Sequence, residues 1–399
     1  MSTMTANRNS ISHIRQICMF CLATLLLAGL CLSQTDGAIS PAQPPARANW
    51  LQYRFTANHD GVNPLETILS PTTVGGLTLK WTFAAEKGFY GSPTVANGIV
   101  YVGSDDMNFY ALNASTGAKL WTFTTGGVAR SSAAVVNGVV YFGSDDLNLY
   151  AVNATTGAKI WNFTAGDGFY SSPTVVNGIV YAGSEDNNVY AVNAATGAKV
   201  WSFTTGASVK YSSPAVVNGV VYIGSWDHNV YALNAATGAK IWSFTTGLNI
   251  ESSPAVVNGV VYVGSRDGNL YALKASTGAK LWSFAAGGGI LSSPAVENGV
   301  VYFGADDFNV YALNASTGAK LWNYTTGRVV HSSPAIANGV LYIGSYDNKV
   351  YALDASTGAN LWSYTTGKAV LSAPAVVNGV LYSASEDFNV YTFDLPGGN

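Results

Sequence analysis

From Leu77 onward, short apolar runs alternate with polar residues and restart about every forty positions. Each period carries four such runs, typified by Ser-Ser-Pro-Ala-Val-Val, Val-Val-Tyr-Val-Gly, Asn-x-Tyr-Ala-Leu-Asn and Ala-Lys-Leu-Trp-x-Phe. Alternation with a period of two over five or six residues predicts strands, and no helical period competes with it. Asn-Gly separates the first two runs in all eight periods, from Asn97-Gly98 to Asn378-Gly379. Both residues tolerate positive φ, so the pair predicts a two-residue hairpin. Thr-Gly, as in Thr116-Gly117, separates the last two runs in seven periods. The unit is therefore a four-stranded meander, with strands A to D in chain order.

A tryptophan marks strand D at Trp81, Trp121, Trp161, Trp201, Trp242, Trp282, Trp322 and Trp362, with spacings of 40 except for one of 41 between Trp201 and Trp242. Repeats of this length build propellers or solenoids. The two ends of the array decide between them. The last unit stops at Asn399 without a Thr-Gly or a strand D, whereas Leu77–Phe83 is a strand D with no A, B or C before it. Placing that strand beside the C-terminal one pairs both free edges, which predicts an eight-bladed, all-β propeller of four-stranded antiparallel blades closed by its N-terminal strand. A solenoid would need polar caps instead.

The segment Ala111-Leu112-Asn113-Ala114-Ser115-Thr116-Gly117 through Trp121 resembles the tryptophan-docking motif A-x-D-x-x-T-G-x-x-x-W of the PQQ-like, quinoprotein-type propeller repeat, and it recurs up to Ala352 through Trp362. The chain thus resembles BamB-like eight-bladed propellers of that family. The resemblance implies that each tryptophan docks on the next blade. Asn113, Asn153, Asn193, Asn234 and Asn314 replace the family's Asp and keep an acceptor. Lys274 cannot accept, so altered docking is expected at blade five. Residues 39–76, with Trp50, Tyr53, Arg54, His59 and Asn63, resemble the family's N-terminal lead-in to a propeller over 77–395.

The first 38 residues read as a signal peptide, with Arg8 and Arg15 ahead of an apolar run from Ile17 to Leu32. All three cysteines, Cys18, Cys21 and Cys31, fall inside it, so a mature chain has no disulfide or thiolate chemistry. Cys31 is a poor lipid-attachment site because Ala28-Gly29-Leu30 does not fit a lipobox. Without residues 1–38 the chain carries 17 basic and 21 acidic residues, a net charge of −4. That argues against nucleic acid as a partner. An exported monomer, periplasmic, cell-surface or secreted and not membrane-spanning after cleavage, is expected.

The constant Asn-Gly and Thr-Gly turns fall on one face of the ring, and the variable D–A and B–C loops on the other. Loops on a rigid scaffold are where function usually resides. Lys210, Tyr211, Trp226, His228, Glu251 and Arg266 gather on the loops of blades four and five and form the candidate binding cluster. The ring of Asp106, Asp146, Asp186, Asp227, Asp267, Asp307, Asp347 and Asp387 suggests Asx turns rather than a calcium site. His59, His228 and His331 are too scattered for a metal site, and the Asn sequons read as a by-product of Asn- and Thr-rich repeats. The expected function is a non-enzymatic scaffold for a protein or extended ligand, with a carbohydrate-binding or adhesion module as a second possibility. The resemblance also admits a PQQ-dependent dehydrogenase, but such enzymes add a vicinal disulfide, a calcium site, a catalytic Asp and long insertions that are missing here.

Overall fold

The computed structural model describes residues 49–397; the expected signal peptide and the cysteines at 18, 21 and 31 lie outside the described residues. Blade 1 consists of Thr94–Ala96, Ile99–Gly103, Asn108–Asn113 and Lys119–Thr124, strands A to D. Six more blades repeat that order, and the eighth is built from Ala375–Val377, Val380–Ala384 and Asn389–Asp394. Its fourth strand is Thr78–Ala84, which runs antiparallel to Asn389–Asp394 with Trp81 opposite Thr392 and Phe83 opposite Val390. The ring therefore closes as the half-blades at its ends predict. Among the described residues no helix is long and apolar enough to cross a membrane.

Local chemistry explains the turns. Asn97 and Gly98 have φ of +51° and +77°, and every later Asn-Gly repeats these signs. The glycine of Thr-Gly has a second reason to be there: a Cβ on Gly117 would lie 2.7 Å from the Trp81 ring, so only a bare backbone lets the indole settle.

Six of the eight seams between blades use one pair of bonds. The Trp121 indole N–H donates to the Ala154 carbonyl of the next blade at 3.0 Å, and the Tyr101 hydroxyl donates to the same oxygen at 3.1 Å. At the closing seam Trp362 donates to Leu77 instead. Lys274 does not disturb this arrangement. Trp242 still donates to Ala275 at 2.8 Å, and Gly278 still lies against its ring, because the docking acceptor is a carbonyl rather than the side chain at position 274. What Lys274 forgoes is the pair of backbone N–H groups that Asn113 accepts from Ser115 and Thr116.

The turn aspartates do more than hold Asx turns. Asp146 Oδ1 accepts from Asn148 N–H, while Oδ2 accepts from the Tyr150 hydroxyl at 2.7 Å and from Gly126 N–H of the preceding blade at 2.6 Å. All eight aspartates make the equivalent bond to the preceding blade's D–A loop. Each is thus a staple across a seam, and its oxygens are committed to the fold. Burial alone would raise the Asp186 carboxyl, but bonds from Tyr190 and Gly166 hold it below its usual value.

Candidate functional site

Strand A descends along the central channel, so a given register position recurs eight times around its wall. The serine two residues before strand A forms a belt: Ser92 N–H donates to Ser132 Oγ, Ser132 to Ser172, and so on round to Ser293, which donates to Ser333. Ala373 N–H donates to Ser92 Oγ, and Ala373 itself interrupts the belt of hydroxyls. Each of these seven serines accepts from the neighbouring backbone and keeps its own proton to donate.

Two positions above the belt lies the mouth, where the repeat prescribes nothing. Tyr90, Arg130, Tyr170, Glu251, Leu291, His331 and Leu371 occupy that position, joined by Tyr211. Tyr346 and Arg266 reach the same cavity of about 280 Å³ from the B–C loops, and Tyr53 rises from below.

The floor is the lead-in. Residues 50–63 travel around the channel and meet the central residue of strand A in all eight blades. Trp50 pairs with Val95 through both backbone bonds, and the Leu51, Ala57, Asn58, Asp60 and Gly61 carbonyls accept from Val135, Val216, Val256, Val296 and Ile336. Gln52 Oε1 accepts from Val175, and Asn63 Nδ2 donates to Val376. Val62–Asn63 adds a parallel strand beside Ala335–Ala337. Backbone groups that would otherwise face an open bore are satisfied by one segment.

Arg54 is 2% exposed and donates to the Pro294 and His59 carbonyls. Burial lowers its pKa to about 10. His59 is fully buried beside it, bonded through Nε2 to Thr174, and burial together with the Arg54 charge lowers it to about 3. The imidazole is therefore neutral. The Tyr53 hydroxyl, 3.2 and 3.1 Å from Ser293 and Ser333 Oγ, joins floor to belt.

The basic side chains around the cavity are held by carboxylates. Arg130 grips Asp105 through Nε and Nη2 at 2.8 and 2.7 Å. That pairing and its hydrogen bonds hold the guanidinium above its usual pKa. Lys210 meets Glu185 at 2.7 Å, Arg266 meets buried Glu251 at 2.7 Å, and His331 meets Asp306 at 2.7 Å. Arg130 also covers the Tyr90 ring, and Lys210 the Tyr170 ring, at 4.3 and 4.5 Å.

The structure thus brings Tyr211, Glu251 and Arg266 to the cavity and sets Lys210 and Trp226 just outside it, 5.7 Å from cation to ring. It separates His228, which occupies the positive-φ position of its turn (φ +71°) and is not among the cavity-lining residues. Sequence reasoning missed Tyr53, Leu291, Leu371 and the serine belt. The belt was hidden in plain sight as a constant motif, and the leucines carry no polar signal.

The cavity residues do not fit a PQQ–calcium centre. Glu251, the sole carboxylate among the residues lining it, is tied to Arg266, and no cluster of three or more metal-ligating side chains occurs among the described residues.

The family described as outer membrane protein assembly factor BamB matches residues 75–136, 124–247, 226–331 and 306–399. This chain belongs to that family. Among solved structures, BamB from Moraxella catarrhalis is similar with a TM-score of 0.71 at 21% identity, covering 80% of this chain and 99% of that one. Quinohemoprotein alcohol dehydrogenases are similar too: that of Pseudomonas putida at TM-score 0.74 and 19% identity, covering 88% and 80%, and that of Comamonas testosteroni at 0.75 and 18%, covering 88% and 81%. At these identities the likeness is one of fold. A search of curated proteins finds no match.

Proposed function

We propose that this BamB-family propeller is an exported, non-enzymatic binding module of the cell envelope that docks a protein partner across its loop face and needs no cofactor to do so. The observation that supports this most is the residue after each turn aspartate. Its φ lies at +68° or above in every blade, a conformation that suits Asn or Gly and strains bulky side chains. Blades three, five and seven comply with Asn187, Gly268 and Asn348. Blades eight, one and two, adjacent on the ring, instead hold Phe388, Met107 and Leu147, exposed by 39%, 40% and 37%. Phe308 of blade six is a further case at 44%. Apart from the Lys368 ammonium 4.6 Å over the Phe388 ring, strained backbone carrying solvent-facing apolar groups does little for the fold, and exposed apolar groups of this kind mark interaction surfaces.

Arg266, which the sequence marks as a hot spot, is a poor probe of binding, since removing it strands buried Glu251. The better test replaces Met107, Leu147 and Phe388 together by Asn, as the chain itself does in blades three and seven. We expect an unchanged or higher melting temperature and at least a tenfold loss in capture of the partner from native envelope extract. Undiminished capture by that variant would refute the reading.

A further inference from the structure

The geometry points to a carbohydrate site at the channel mouth: we propose that it takes the end of a neutral glycan chain, with Tyr211 as its stacking platform. This deepens the reading of the loop face as a binding surface and rests on it. The single irregular spacing of the repeat, 41 between Trp201 and Trp242, comes from one extra residue. Val209 is buried like Phe169 in the preceding blade, and Ser212 corresponds to Ser171. Between them stand two residues instead of one. Lys210 does what the regular position does elsewhere, reaching the B–C acid of the preceding blade as Arg130 and His331 do. Tyr211 is therefore the insertion. It has φ of +65°, and Ser212 N–H closes back on the Lys210 carbonyl at 2.8 Å, a three-residue γ-turn of the strained hand. The ring stays 40% exposed at the cavity wall, with its edge to Tyr170 at 5.6 Å. Seven other junctions do without such a residue, so the strain serves something other than closure.

The ligand class follows from what surrounds it. Arg130, Lys210 and Arg266 are each held by a carboxylate, so the mouth offers no free guanidinium or ammonium to a phosphate or another polyanion. An aliphatic ligand would cover the serine belt and leave its hydroxyls unpaired, at a cost. A sugar meets both demands, since its hydroxyls exchange hydrogen bonds with the belt and with Tyr53, while its C–H faces lie on tyrosine rings. The lead-in closes the bore below, so the site accepts a chain terminus and does not let a chain pass through. A volume at the small end of ligand pockets agrees.

The test is calorimetric titration of the signal-cleaved protein with maltohexaose, cellohexaose and chitohexaose, with hexagalacturonate as the charged control. One neutral oligosaccharide should bind with one-to-one saturation and outcompete the uronate. Deleting Tyr211, which restores the forty-residue period, and Tyr211→Gly, which suits the positive φ, should each weaken that binding tenfold or more while the melting temperature holds or rises. Binding of no neutral oligosaccharide at millimolar concentration, preference for the uronate, or binding untouched in both variants overturns the proposal. If no sugar binds while the rim of blades eight, one and two still captures its partner, this inference falls and the loop-face reading stands.

Discussion

The seams between blades and the mouth of the channel are built from the same forty-residue unit, yet they follow opposite rules. At the seams, nearly every junction spends the same tryptophan, tyrosine and aspartate on the same carbonyl and amide groups. At the mouth, neighbouring blades contribute tyrosine, arginine, glutamate, leucine or histidine at one register position. Where closing the ring sets the requirement, the repeat is copied; where it sets none, the blades have diverged. The contrast separates the residues that hold the molecule from those that face a ligand.

The strongest way to break a seam is to remove its last strand. A chain beginning at Ala84 lacks the lead-in and the strand that completes blade eight, exposing the edge of Asn389–Asp394. It should aggregate and show no cooperative thermal transition, as followed by light scattering and calorimetry; a soluble monomer with unchanged melting would contradict the closure described. A single staple is a smaller loss. Asp227→Ala frees the Gly206 and Asn229 N–H groups and the Tyr231 hydroxyl, and should cost about 1–3 kcal/mol in urea unfolding. By contrast, the Asn replacements on the rim should cost nothing.

The gentlest probe is acid. His59 titrates near 3 when folded against about 6.5 when unfolded, so between those values the unfolded chain binds the extra proton. Its contribution to stability is complete above about pH 6.5 and is lost as the pH falls toward 3. His59→Asn, with a residue that tolerates the φ of +57°, should shrink the difference in urea midpoint between pH 7 and pH 4. An equal difference in both proteins would remove His59 from the acid response.

The fold could be read from the sequence because its signals are local and repeated: Asn-Gly needs only its own backbone, and Trp81 without preceding strands announces the closing half-blade. The seam role of the aspartates could not, since the Asx turn is local whereas the bond from Gly126 to Asp146 exists only once two blades meet. Nor could the floor. Leu51, Ala57, Asn58 and Gly61 bind through carbonyls that every residue possesses, and they leave no mark in composition. For the site, sequence comparison among repeats found Tyr211, Glu251 and Arg266 because they break the pattern. It misplaced His228 because adjacency in sequence puts a turn residue next to the cluster without saying which way the turn faces.

The lead-in also fixes an order of events. The lead-in precedes the propeller in the chain yet bonds to strands that appear as much as hundreds of residues later, and that part of it must wait unpaired until they arrive. Assembly is therefore tied to completion of the polypeptide, with the long-range pairings that make folding slow, and a product cut short at its C-terminus can neither seal its bore nor hide its opening strand.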